Sequence, residues 1–172
     1  MEELNSATLG GGCFWCLEAV YTRLEGVNSV VSGYAGGNVE NPTYEQVCTG
    51  ETYHAEVVKI NFDSKETSFK TLLEWFWRCH DPTTLNRQGG DIGTQYRSVI
   101  YYENENQESI AHKSKIEAAS SGIFDNPIVT EIHELKVFYP ADDYHHEYYK
   151  KNPDEGYCTY IIRPKLEKLN ME

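Results

Sequence analysis

Three consecutive glycines, Gly10-Gly11-Gly12, stand between the apolar run Ala7-Thr8-Leu9 and the stretch Cys13-Phe14-Trp15-Cys16-Leu17-Glu18. Without a Cβ the backbone can turn tightly there, so the run is expected to end as a strand. Beyond the turn Leu17, Val20, Tyr21 and Leu24 recur at i, i+3, i+4 and i+7, which is one face of a helix, and Gly26 stops it. Cys13 is therefore expected at a strand-to-helix junction. Unpaired amides and the positive end of the helix dipole favour a thiolate at such a place. Cys16 lies about one turn further on, completing a Cys-x-x-Cys that can close a disulfide. The alternative is that both are small buried hydrophobes, as most cysteines are.

At 172 residues the chain is expected to be one catalytic domain, 1–172, with a core that needs no disulfide support. Its formal net charge of −12 argues against nucleic acid and anionic membrane as partners. No apolar run approaches the roughly 18 residues of a spanning helix. The opening Met1-Glu2-Glu3 carries no basic leader, and the five cysteines are irregularly spaced. Reduced thiols, redox chemistry, a cytoplasmic location and a monomer are the expectations.

Strand and helix signals alternate along the chain. Residues 27–34 are rich in β-branched side chains and read as a strand; 44–47 allow one helical turn. Residues 54–63 form a strand in which Glu56 shares a face with Val58, Ile60 and Phe62. A carboxyl on an apolar face without a local cation stays protonated. Phe69, Leu72, Leu73 and Phe76 mark a helix with Ser68 as N-cap. Residues 83–95 read as a polar loop, 97–102 as a strand and 106–120 as a surface helix. Residues 128–139 read as one further strand, 142–151 as a short helix, and about 152–172 as an irregular tail carrying Cys158. The order suggests an α+β domain, a mixed β-sheet with packed helices.

Glu56, the polar aromatics Tyr44, Tyr96, His145 and Tyr148, and the pair Phe14-Trp15 could support chemistry at Cys13. Each has a plainer reading: an arginine partner for Glu56, packing for the rings. Together they match one reaction. A thiolate beside an apolar wall and an uncharged acid suits an electrophile with a small apolar arm and a basic oxygen, and methionine sulfoxide is one.

Gly11-Gly12-Cys13-Phe14-Trp15, Gly33-Tyr34-Ala35-Gly36-Gly37, Asn41-Pro42-Thr43-Tyr44, His54-Ala55-Glu56-Val57-Val58, His80-Asp81-Pro82-Thr83 and Gly93-Thr94-Gln95-Tyr96-Arg97-Ser98 resemble, in order, the signatures of the A-type peptide methionine sulfoxide reductases. The resemblance implies Cys13 as nucleophile, Phe14 and Trp15 as the pocket for the substrate methyl group, and Glu56 as the acid, helped by Tyr44 and Tyr96. Asp91, His145 and Tyr148 match further residues lining the site. It also implies a ferredoxin-like core with a long irregular C-terminal segment, selectivity for the S epimer, thioredoxin as reductant, and no metal or organic cofactor. The substrate would be methionine sulfoxide in oxidised proteins or as the free amino acid.

The chain departs from the common pattern at Cys16 and Tyr53, where many relatives have glycine. Gly156-Tyr157-Cys158 resembles the family's resolving segment, so Cys158 is favoured as resolving cysteine, with Cys16 able to substitute or take the disulfide onward. Cys48 and Cys79 are read as structural. A general thiol–disulfide oxidoreductase leaves Glu56 and the tyrosines without a role. A zinc module lacks a second Cys-x-x-Cys or a spaced histidine pair.

Overall fold

A computed structural model describes residues 4–171. β1 (Leu4–Gly10) runs into the glycine turn, and α1 (Phe14–Tyr21) starts directly after Cys13. The chain continues through β2 (Val27–Ala35), α2 (Tyr44–Cys48), β3 (Ala55–Asp63) and α3 (Phe69–Cys79). Ser68 caps α3 as expected, its side chain accepting from the Thr71 amide. The single turn expected near Tyr44 is held by a reciprocal capping box between Thr43 and Gln46.

The expected loop 83–95 contains a small antiparallel ribbon, β4 (Arg87–Gln88) with β5 (Asp91–Ile92), followed by a 3-10 turn at Thr94–Tyr96. Then come β6 (Val99–Tyr102), α4 (Glu105–Ser120), β7 (Glu131–Glu134) and β8 (Phe138–Pro140). The six-stranded sheet has the order β7-β6-β1-β3-β2-β8, antiparallel except for β6 with β7. The expected mixed sheet and α+β class are present.

The single strand expected at 128–139 is in fact two, on opposite edges of this sheet. Only residues 135–137 join them, and four Cα steps span at most about 14 Å. A flat sheet would hold its outer strands ~24 Å apart. The sheet is therefore strongly curled. Alternation along β3 feeds two cores: Val58, Ile60 and Phe62 join the main one with α1 and α3, while Ala55 and Val57 join Val99 and Tyr101 on the opposite face.

The helix expected at 142–151 is broken. A 3-10 turn at Asp143–His145 and α5 (Tyr148–Lys151) are separated by Glu147, whose φ of 56° is left-handed. The tail expected to be irregular carries a π-helical turn at Cys158–Ile162 and then α6 (Arg163–Lys168). Ile162, Leu166 and Leu169 are buried in the main core, and that burial orders the segment.

Candidate active site

Cys13 is the N-cap of α1 and only 5% exposed. The glycine turn lets it sit this deep. A Cβ on Gly11 would come within 2.8 Å of the His80 ring, and Gly12 holds φ at 89°. The Gly12 amide donates to the Tyr96 carbonyl at 3.1 Å, which brings the 94–96 turn against the cysteine loop.

Glu56 projects from β3 to the same place and is completely buried. Its Oε1 accepts from the Phe14 amide at 3.1 Å, so the carboxyl lies at the start of α1. Its Oε2 has no hydrogen-bond partner among the described residues. Burial, outweighing the Phe14 amide, pushes its pKa up to about 8, so the group is an acid at neutral pH.

The expected thiolate at Cys13 is not the resting form. Burial first, then the neighbouring Glu56 and Cys16, push the thiol well above its ordinary range, against the opposing pull of the Trp15 amide. A helix terminus offers a partial charge, and in a site closed to water desolvation exceeds it.

The aromatic residues form one layered wall. The Phe14 ring lies 5.6 Å from Tyr34, 6.2 Å from Tyr44 and 5.5 Å from His145, measured between centroids. The Trp15 indole stacks on Tyr148 at 3.7 Å and 8°, and its Nε1 donates to His145 Nδ1 at 3.3 Å. Burial lowers the His145 pKa, which fits an imidazole accepting from Trp15. His145 and Tyr148 do not share a continuous helix, as the sequence suggested; the left-handed Glu147 between them lets both reach Trp15. Burial first, then Glu56, raises the pKa of Tyr34, Tyr44 and Tyr96, leaving three neutral phenols.

Two residues here were not singled out from the sequence. Tyr34 is 1% exposed, and its hydroxyl has no partner among the described residues. Tyr157 donates to Asp91 Oδ2 at 2.6 Å, and its oxygen lies 3.6 Å from Cys16 Sγ. The strand pattern that exposed Glu56 could have found Tyr34; no local signal marks Tyr157. Asp91 thus reaches the site through Tyr157.

Cys158 is fully buried at the start of the π-helical turn, where the sequence suggested a flexible tail. Burial first, then Cys16, raises its thiol pKa. Cys79 is buried, whereas Cys48 is exposed at the end of α2, one turn after Tyr44. Tyr53 holds a left-handed φ of 60°, a conformation glycine adopts freely, and keeps its ring in solvent.

A cysteine at a helix start, a protonated carboxyl against it, neutral phenols and two further buried thiols define a cysteine-based oxidoreductase of α+β fold. The family model described as peptide methionine sulfoxide reductase matches residues 5–172. Peptide methionine sulfoxide reductase MsrA of Leptospira borgpetersenii is 56% identical, with 96% of this chain and 93% of the relative covered. The MsrA of Acinetobacter baumannii is 56% identical over 97% and 95%. Among solved structures, Mxr1 of Saccharomyces cerevisiae in reduced form superposes with a TM-score of 0.85 at 35% identity, covering 90% of this chain and 89% of that one. Methionine sulfoxide reductase A of Corynebacterium diphtheriae gives 0.80 at 37%, covering 91% and 78%. The chain belongs to the peptide methionine sulfoxide reductase family.

Proposed function

We propose that this chain reduces the S epimer of methionine sulfoxide, in proteins and as the free amino acid, at the pocket between Cys13, Glu56 and the aromatic wall. The observation that carries this reading is the open Oε2 of a protonated Glu56 beside a buried thiol. Phe14 and Trp15, backed by His145 and Tyr148, receive the methyl group. Tyr44 and Tyr96 hold the sulfoxide oxygen.

The Cys13 sulfur bonds to the sulfoxide sulfur while Glu56 gives its proton to the oxygen, and the Cys13 thiol proton passes to the resulting carboxylate. The hydroxyl then shifts from the methionine sulfur to the Cys13 sulfur as the bond between the two sulfurs breaks, so methionine leaves as the thioether and Cys13 becomes a sulfenic acid. A thiol then condenses with it, releasing water. Cys16 is N3 of the helix that Cys13 caps, about one turn away, and both thiols are buried. We therefore assign the first disulfide to Cys13 and Cys16, in place of the Cys13–Cys158 pairing that the resemblance favoured. Cys158, buried like Cys16, then attacks the Cys16 sulfur, freeing Cys13 as a thiol and leaving a Cys16–Cys158 disulfide. Asp91 acts by holding Tyr157 against Cys16.

The reductant of that disulfide is read as thioredoxin, because Mxr1 of Saccharomyces cerevisiae has been solved in complex with Trx2. No organic or metal cofactor enters these steps. The chain is read as a cytoplasmic monomer and one catalytic domain; among the described residues no helix is long and apolar enough to cross a membrane. The test is turnover of separated S and R epimers of a blocked methionine sulfoxide with dithiothreitol. Reduction of S alone supports the reading; reduction of neither overturns it in favour of general thiol–disulfide exchange.

A further inference from the structure

Glu18 is a buried carboxyl that the reaction above does not use. It lies on α1 three residues after Trp15, so the two side chains occupy neighbouring positions on one helix face. It is 3% exposed, although charged residues are almost never buried without partners. The Ser32 hydroxyl of β2 donates to its Oε2 at 3.0 Å. Burial raises the carboxyl's pKa, and Ser32, the backbone amides of Glu147 and Tyr148 and the neighbouring His146 oppose that rise; Glu18 and Glu147 line the same cavity. Those two amides flank the left-handed turn that breaks 142–151 into two pieces, and α5 has no side-chain cap of its own. The carboxyl of Glu18 is placed where it can serve from a distant helix as the acceptor that an N-cap side chain would otherwise provide.

What this contact holds is specific. His145 lies just before the turn and Tyr148 just after it, and both stack on Trp15, at 5.8 and 3.7 Å. His145 itself also meets Phe14 and Tyr44, at 5.5 and 4.4 Å between centroids, and accepts from Trp15 Nε1 at 3.3 Å; the short-range bond of His146 Nε2 to the Ala141 carbonyl, at 2.9 Å, lies beside them. We propose that Glu18 is a positioning residue for substrate binding: by anchoring the 147–148 backbone it presses His145 and Tyr148 onto Trp15 and so sets the width of the pocket that receives the substrate's methyl group. This rests on reading Trp15, His145 and Tyr148 as that pocket's wall. Glu18 touches no reacting atom; it acts through the backbone it holds.

The experiment compares wild type with Glu18→Gln and Ser32→Ala, using steady-state reduction of a blocked methionine (S)-sulfoxide with dithiothreitol and amide hydrogen exchange of the 142–151 segment. The glutamine keeps the volume but weakens the acceptor that the two amides face; the alanine removes the Ser32 donor and leaves Glu18 in place. The expected result for Glu18→Gln is a KM raised about fivefold with kcat within about twofold, because Cys13 and Glu56 are untouched. Exchange at Glu147 and Tyr148 should quicken about tenfold while α1 and β3 stay protected. Ser32→Ala should move both readouts the same way by less. Unchanged KM and unchanged exchange in folded variants would overturn the proposal. A fall in kcat with protection lost throughout α1 and β3 would also overturn it, by making Glu18 a general core residue. Absence of turnover by wild type would instead defeat the assigned function, and the exchange data would still decide whether Glu18 anchors the segment.

Discussion

Tyr34 and Glu56 lie directly opposite each other on β2 and β3, and each holds a buried side-chain oxygen without a partner among the described residues. Facing cross-strand neighbours put their side chains on one face of a sheet. A buried polar atom left unpaired costs about 1–3 kcal/mol, so two in one place mark a site kept open for a ligand.

Tyr34→Phe removes one of these oxygens without changing ring volume. It should raise the melting temperature, because the penalty disappears, and lower kcat/KM for the sulfoxide about tenfold, because a free hydroxyl opposite Glu56 is lost from the open site. A thermal melt and a Michaelis–Menten series on the same preparation check both signs. Equal activity in the two proteins would assign the hydroxyl no part in turnover.

Glu56→Gln keeps the shape and removes the transferable proton. General acids contribute roughly 10²–10⁴-fold, and a drop in that range is expected in kcat, with KM moving far less. Single-turnover release of methionine, free of any recycling step, is the appropriate measurement.

The same carboxyl sets a pH dependence. Its pKa is about 8 in the fold against an ordinary 4.5, so the folded chain holds a proton that the unfolded chain has released between those values. Stability from this group is complete below about 4.5, declines as pH rises toward about 8, and changes no further above that. Turnover, which needs the protonated form, should fall through a limb centred near pH 8, and that limb should vanish in Glu56→Gln. A kcat/KM profile from pH 6 to 10 for both proteins provides the check.

One equivalent of sulfoxide without reductant should leave a Cys13–Cys16 peptide first, replaced over time by Cys16–Cys158. Peptide mapping of samples quenched at increasing times reads the order. In Cys158→Ser the first disulfide should persist. A Cys13–Cys158 peptide as the earliest product would reverse the assignment.

Gly33→Ala tests the curl of the sheet. A methyl there collides with the Tyr139 carbonyl oxygen and the Phe138 ring, so β8 would be forced off β2. Overpacking of this kind costs about 1–3 kcal/mol. A lower midpoint in urea with an unchanged slope is the expected outcome.

The alternation of 55–63 placed Glu56 on an apolar face, the glycine turn placed Cys13 at a helix start, and the Phe69, Leu72, Leu73, Phe76 spacing with Ser68 placed α3. These are local properties: a period of two or 3.6, a cap, a residue that alone can make a turn, each settled by chain geometry within a few residues. The tertiary structure decided the rest. The run 128–139 became two strands because the sheet curls until its edges lie within three residues of each other, a relation involving six strands. The segment after 152 became helical because Ile162 and Leu166 found a core to enter. Tyr157 met Asp91 and Cys16 only through long-range packing, and the resting protonation of Cys13 followed from burial, which depends on every element closing over it. Local pattern carries direction and periodicity; which distant surfaces meet, and how much water they exclude, is a property of the whole chain.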